Sequence, residues 1–289
     1  LPFPALASVY FPWNRTFEIG LRTVDSKAAG LKDHDTVSSV SCDVLVVGGS
    51  TAALAAALTA ADAAPSASVC LTEPTDWLGG QLTSSLISAI DFGHRNRDAS
   101  CLPSQFVDML GSLGFPNSNP GNCWVSTFCY KAHDLLQHWI LPQTQKRANL
   151  RVYYNTVPVS ATVAGGVLQS VDFVQRESRG RKNDDVDDNH LGLFSEQVED
   201  WYDPADSTAF TKTKLSISSE VMVDATEFGD LLVLAGAEFV QGNEVRESTT
   251  RSYDTCGQAI VFPFYLGSPA VSPKTVTTRT PLPSPTADP

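Results

Sequence analysis

Asp43-Val44-Leu45-Val46-Val47-Gly48-Gly49-Ser50-Thr51-Ala52-Ala53 is the stretch that decides the fold of this chain. A short, continuous, mostly β-branched run stops at two glycines. Without polar alternation, such a run is a strand covered on both faces, as in the interior of a parallel sheet. Ser50 or Thr51 can cap a helix, and Ala52 to Ala64 is rich in Ala and Leu, a helix by propensity that Pro65 ends. Ser68-Val69-Cys70-Leu71-Thr72 is a second buried strand, closed by Glu73-Pro74. Strand, helix and strand make one βαβ unit, whose crossover is right-handed. Positions 44–64 are also long enough for a membrane span. Gly48-Gly49 interrupts that reading, Asp62 sits inside it, and large apolar side chains thin out after the strand, all of which argue against a span.

Further along, Ser104 to Leu113 and Lys131 to Ala148 read as helices, the second interrupted by Pro142. Leu150 to Asn155, Val157 to Val163 and Val167 to Val174 read as strands, with Gly165-Gly166 as a hairpin turn between the last two. Arg176 to His190 is basic first (Arg176, Arg179, Arg181, Lys182) and then acidic (Asp184, Asp185, Asp187, Asp188), which predicts a solvated loop. The ligand spacing of a calcium-binding EF-hand is absent there. Leu215 to Ala225 is another strand region and Phe228 to Ala235 a short helix. Residues 1–41 show no sustained periodicity and are expected to form an irregular leader. From Pro263 onward Pro, Ser and Thr dominate, which predicts a disordered tail over 266–289. The expected fold class is α/β: a Rossmann-like parallel sheet with flanking helices over 42–265, carrying a β-rich insertion at about 150–215, with irregular termini.

The 289 residues are 42% hydrophobic and 18% charged, enough for a sizeable core without disulfide staples. Twenty Lys and Arg against 32 Asp and Glu leave a net charge of −12. That surface repels phosphate backbones and anionic membranes, so nucleic-acid and membrane partners are not expected. A phosphate-bearing cofactor stays open, because backbone N–H groups at a helix start bind phosphate locally. No two of the six cysteines are spaced C-x-x-C, which excludes a zinc ribbon or a thioredoxin-type motif. Cys101, Cys123 and Cys129 cluster in a Gly-, Pro-, Asn- and Ser-rich stretch, where a disulfide and free thiols are both open. The chain starts at Leu1, and Asn14-Arg15-Thr16 is a glycosylation sequon, so the secretory pathway is one expectation for its localisation.

Three groups of residues carry chemistry. In the dinucleotide-binding turn G-x-G-x-x-G/A, the first glycine makes the turn and the second lets backbone approach pyrophosphate. The third position is small for helix–strand packing. Gly48 takes the first place, Ser50 replaces the second glycine and Ala53 takes the third, with Gly49 and Thr51 between them. The Ser50 hydroxyl is placed to donate to a phosphate oxygen. Glu73, at the carboxyl end of the second strand, can accept from ribose hydroxyls, a solvated strand-end Glu being the plainer alternative. No Arg or Lys follows in its loop, which disfavours a 2′-phosphate. Asp76-Trp77-Leu78-Gly79-Gly80-Gln81-Leu82 then puts two glycines just beyond that acid. A nicotinamide has no need of them, whereas an extended flavin dinucleotide must pass close to backbone.

Asp43 to Ala61, Glu73 through Gln81, and Asp224-Ala225-Thr226-Glu227-Phe228-Gly229-Asp230 followed by Leu234-Ala235-Gly236-Ala237 together resemble the FAD-dependent oxidoreductase family of the glutathione-reductase-like fold. The resemblance implies hydride transfer from a small-molecule substrate to FAD, and it supplies no catalytic base. It implies that the Gly48 turn and its helix hold pyrophosphate and that Glu73 holds the adenosine ribose. Gly79, Gly80 and Gln81 would run beside the ribityl chain and flavin. Asp224, Thr226, Gly229 and Asp230 would return to the cofactor edge, although helix capping is the plainer role of the two aspartates.

Members of that family continue into a Gly-rich segment that closes over the isoalloxazine, and nothing after Phe264, up to Pro281-Leu282-Pro283-Ser284-Pro285, is similar to it. The expectation is a truncated form of doubtful competence, or a non-catalytic nucleotide-binding remnant. Gly48-Gly49-Ser50-Thr51-Ala52 also comes near the G-x-S-x-G nucleophile elbow of serine hydrolases, with Ser50 as nucleophile. Ala52 replaces its last glycine, and few residues precede the turn. His133 and His138 are five apart, which does not put them on one helical face for a metal. His94, next to Arg95, comes after the glycine loop and is either a substrate contact or plain surface.

Overall fold

The computed structural model describes residues 6–10, 16–20, 37–90, 102–123, 126, 128–179 and 199–239. Strands β1 (Leu6–Tyr10) and β2 (Thr16–Gly20) pair antiparallel inside the stretch expected to be irregular. Their five-residue runs are too short for periodicity to register. Next come β3 (Ser38–Val47), α1 (Thr51–Ala63) and β4 (Val69–Thr72), then the two-residue β5 (Ala89–Ile90), α2 (Ser104–Gly111) and β6 (Phe128–Cys129). A helical run succeeds them as α3 (Ala132–Leu135), a π-turn over Leu136–Ile140 and α4 (Leu141–Gln145). The chain goes on to β7 (Leu150–Tyr153), β8 (Thr156–Ala164), β9 (Val167–Ser178), α5 (Glu199–Tyr202), β10 (Phe210–Asp224) and α6 (Asp230–Leu234).

Six strands hydrogen-bond in the order β7-β4-β3-β10-β9-β8. The pairs β7–β4, β4–β3 and β3–β10 are parallel, and β10–β9 and β9–β8 are antiparallel. Val44–Val47 is therefore central, with Val69–Thr72 on one side and Val221–Asp224 on the other, as the apolar runs predict. β7 and β8 stand at opposite ends of this order, yet only positions 154–155 join them. The sheet must curl over so that the β8–β9–β10 meander lies across one face of the parallel strands.

The two cores record that layering. Leu45, Val47 and Cys70 pack with Val171, Phe173, Leu215 and Ile217 of the meander. Val46, Val69 and Leu71 point the other way, onto Ala53, Leu54, Ala57, Leu58 and Ala61 of α1. Alanines on that helix face let it lie close to the strands. β10 spans both layers, pairing with β9 through Phe210–Ser218 and with β3 through Leu215–Asp224. The strands of the expected insertion thus belong to the same hydrogen-bonded sheet.

Three local expectations change. β3 starts at Ser38, because Ser38–Ser41 pair with Leu215–Ser218. Arg176 and Ser178 lie in β9, and Arg176 is buried, so the solvated loop does not begin there. Pro142 does not interrupt the helix. Proline has no N–H to give, and the π-turn before it shifts the register so that Leu141 N–H donates to Leu136 O. Cys123 pairs with Cys129, and Cys42 pairs with Cys70 across β3 and β4, a link no spacing rule suggests. The Asn14 sequon, Cys101, most of the 176–190 run and the 266–289 tail lie outside the described residues.

Candidate functional site

The carboxyl ends of β3, β4 and β10 meet at one point. Ala225 N–H donates to Val47 O at 2.8 Å, and Gly48 N–H donates to Thr72 Oγ1 at 3.1 Å. Gly48 turns with φ +102°, and a Cβ there would lie 2.5 Å from Ala225 O and 2.7 Å from Thr226 Cα. Only glycine fits both the angle and the space. A Cβ on Gly49 would lie 1.5 Å from Glu73 Oε2, so its missing side chain is what lets the acid fold in.

Ser50 Oγ accepts from Ala53 N–H at 3.1 Å, capping α1, and donates to Ala225 O at 2.8 Å. Its single proton is spent inside the protein, which corrects the expectation of a phosphate donor. No described group accepts from the N–H of Thr51 or Ala52, so the donors at the head of α1 are backbone. Thr51 Oγ1 donates to Gly79 O at 3.1 Å and Gly79 N–H donates to Gly49 O at 2.8 Å, closing the second glycine loop onto the first turn. A Cβ on Gly80 would lie 2.6 Å from Glu227 Oε1 and 3.0 Å from Ser50 Cα.

Glu73 is 2% exposed, so it is not a solvated strand-end acid. Its Oε1 accepts from Thr75 N–H and Thr75 Oγ1, both at 2.7 Å. Burial pushes the carboxyl from 4.5 up to about 7; Asp76 and Glu227 push the same way, and the Thr75 bonds oppose them. Burial, and then Glu73 and Asp76, raise the Tyr154 phenol to about 12. Asp224 does cap: its Oδ1 accepts from Thr226 N–H at 3.0 Å and Thr226 Oγ1 at 2.8 Å, and its Oδ2 from Leu232 N–H at 2.9 Å. Asp230 N–H donates to Thr226 Oγ1 at 2.7 Å. Burial, then the Asp224 charge, raise the Asp230 carboxyl. Gly229 precedes α6 in a left-handed conformation.

Gly48, Gly49, Ser50, Thr51, Glu73, Gly79 and Gly80 are thus brought together, with Ala53 buried beneath them on α1. Asp224, Thr226, Gly229 and Asp230 form the adjoining turn. Gln81 is exposed on the short turn Gly80–Leu82, with no side-chain hydrogen bond to the group among the described residues. Thr72 and Thr75 join the site without a motif to mark them, and Ala225 and Glu227 join it from inside the Asp224–Asp230 stretch. Ser50 Oγ gives its proton to the Ala225 carbonyl and not to a histidine or carboxylate, which leaves the hydrolase reading without its proton acceptor. His133 lies against the Trp77 ring at 5.7 Å between centroids. His94, Arg95 and everything after residue 239 lie outside the described residues. Among the described residues no helix is long and apolar enough to cross a membrane.

A model of the FAD dependent oxidoreductase family matches residues 43–183. Residues 43–183 belong to the FAD-dependent oxidoreductase family. That stretch holds the Gly48 turn, Glu73, the Gly79–Gly80 loop and the first two meander strands. Among solved structures, E. coli quinol fumarate reductase is 11% identical over 65% of this chain and 33% of its own, with a TM-score of 0.40. L-proline dehydrogenase from P. horikoshii is 16% identical over 66% of this chain and 24% of its own, with a TM-score of 0.30. A geranylgeranyl bacteriochlorophyll reductase-like protein from Thermoplasma acidophilum is 11% identical over 66% of this chain and 40% of its own, with a TM-score of 0.35. The chain therefore spans well under half the length of each. No curated protein matches it.

Proposed function

We propose that this chain holds FAD as the cofactor of an oxidoreductase acting on a small molecule. The observation that carries the reading is the meeting of the Gly48 turn, the buried Glu73 and the Gly79–Gly80 loop at the carboxyl ends of parallel strands. Open α/β sheets bind their ligands at that end. The residues fit the group. The Thr51 and Ala52 N–H groups at the head of α1 would hold pyrophosphate, Glu73 would accept from the ribose, and the Gly79–Gly80 backbone would pass the ribityl chain. When bound, the flavin supplies hydride acceptance. The protein contributes position, shelter from water and local charge.

The test is a titration of the full chain with ADP by calorimetry, beside FAD followed by flavin fluorescence. Saturable binding of both is expected, and binding of neither would overturn the reading. Glu227 gives a signed check. Its carboxylate stands over Gly80, which lies against Ser50 at the head of α1, where negative charge competes with phosphate. Glu227→Gln should tighten ADP binding by roughly two- to fivefold, from about 0.3–1 kcal/mol of relieved repulsion. Weaker binding in that variant would place the phosphates elsewhere.

A further inference from the structure

We propose that Arg176 is a positioning residue for the nucleotide site, clamping from the meander layer the loop that carries Glu73. The inference rests on the FAD reading and extends it to a residue outside the three motifs. Arg176 is 4% exposed on β9, and its Nη2 donates to the carbonyl of Pro74, the residue after Glu73. Its backbone N–H donates to Asn155 O at 3.0 Å, Asn155 N–H donates to Thr75 O at 2.9 Å, and Thr156 N–H donates to Glu73 O at 2.8 Å. Arg176 and its neighbours thus grip Glu73, Pro74 and Thr75 in turn. The guanidinium lies over the Trp201 ring of α5, 4.3 Å from its centroid, and 5.8 Å from that of Phe210 on β10.

A purely structural side chain would not be built this way. The Nε and Nη1 of Arg176 are buried without a hydrogen-bond partner among the described residues. Orphaned charged donors are expensive, and an apolar residue of similar volume commonly serves a core as well or better. What an apolar residue lacks is the hydrogen bond to Pro74 and a positive charge coupled to the Glu73 carboxylate. Burial lowers Arg176 to about 10, with Tyr202, Asp200 and Glu73 holding it up, so it stays charged at neutral pH.

The experiment uses Arg176→Met and Arg176→Lys in the full chain, with ADP calorimetry across pH 5.5–8.5 and thermal unfolding without ligand. The titratable and charged groups coupled to Glu73 through their charge are Asp76 in its own loop, Glu227 after β10, Tyr154 between β7 and β8, and, more weakly, Arg176 from β9. In the wild type, ADP affinity should rise with pH as Glu73 loses its proton. In Arg176→Met, Tm should stay within about 4 °C of the wild type. Its ADP affinity at pH 7 should fall about tenfold, a loss of the size expected for a hydrogen bond to a charged group, and its midpoint should move to higher pH. Arg176→Lys should restore the midpoint. A Met variant that binds with wild-type affinity and midpoint overturns the inference. So does one that fails to fold, which would assign Arg176 to the core, and so does a Lys variant that shares the displaced midpoint of Met. A wild type that binds no ADP overturns the nucleotide reading itself, which a loss confined to the variants does not.

Discussion

Gly48→Ala is expected to destabilise the chain by roughly 3–5 kcal/mol and to abolish nucleotide binding with it. Two independent obstacles meet at this one atom. The backbone angle of +102° is one that L side chains rarely adopt, and the new Cβ would stand 2.5 Å from Ala225 O. Neither obstacle can be relieved by turning a side chain. Gly48 N–H is held by Thr72 Oγ1 and Ala225 N–H by Val47 O, so relief requires parting β10 from β3. A loss of that size is a large fraction of the roughly 5–15 kcal/mol that stabilises an ordinary domain. Gly165→Ala is the control. It also has a positive φ, +61°, but nothing within 4 Å of its Cβ, and it should cost about 1 kcal/mol. Urea unfolding of both variants measures the difference, and equal effects would refute the close approach at Gly48.

Glu73→Gln should move stability and binding in opposite directions. The folded chain holds the Glu73 proton up to about pH 7, whereas the unfolded chain releases it near 4.5. Between those values the folded state binds more protons, so stability falls as pH rises, and the full penalty is present above pH 7. That penalty is about 3 kcal/mol, at about 1.4 kcal/mol per pK unit. The amide carries no such penalty and keeps an oxygen for Thr75. The variant should therefore be more stable than the wild type at pH 8 by up to about 3 kcal/mol and equal to it below pH 4.5. Its affinity for ADP at pH 8 should fall tenfold or more, the loss of a charge-assisted bond worth about 1.5–3 kcal/mol. A stability difference independent of pH would show that the carboxylate is not the buried group that titrates.

The βαβ unit is legible in the sequence because its signals are local. An unbroken apolar run, two glycines, a capping serine and a terminating proline all lie within a few residues of one another, and Val221–Asp224 carries the same kind of run. The features that escape depend on partners far along the chain. The polar Ser38–Ser41 become strand only because β10 arrives beside them. The Ser50 hydroxyl looks free in the sequence, yet Ala225, 175 positions on, takes its proton. Glu73 reads as a ribose acceptor, but its depth escapes, because nothing near it in sequence shows that Gly49 leaves it room or that the Pro74 carbonyl is held from position 176. Arg176 itself is easily misread because it heads a run of charges. Composition reports the average of such a run and is silent on one member that turns inward.

β10 has a consequence for how the protein is made. The central strand β3 leaves the ribosome with one long edge that can be satisfied only by a segment some 175 residues later. At 5–20 residues per second the wait is roughly 10–35 s. Throughout it, Leu45, Val46 and Val47 form a nearly uncharged strand with open backbone groups, the kind of template on which nascent chains stick to one another. A fragment ending at residue 179, with every glycine of the turn in place, should accumulate as aggregate or remain bound to chaperones. The same fragment extended through residue 239 should be released as soluble protein.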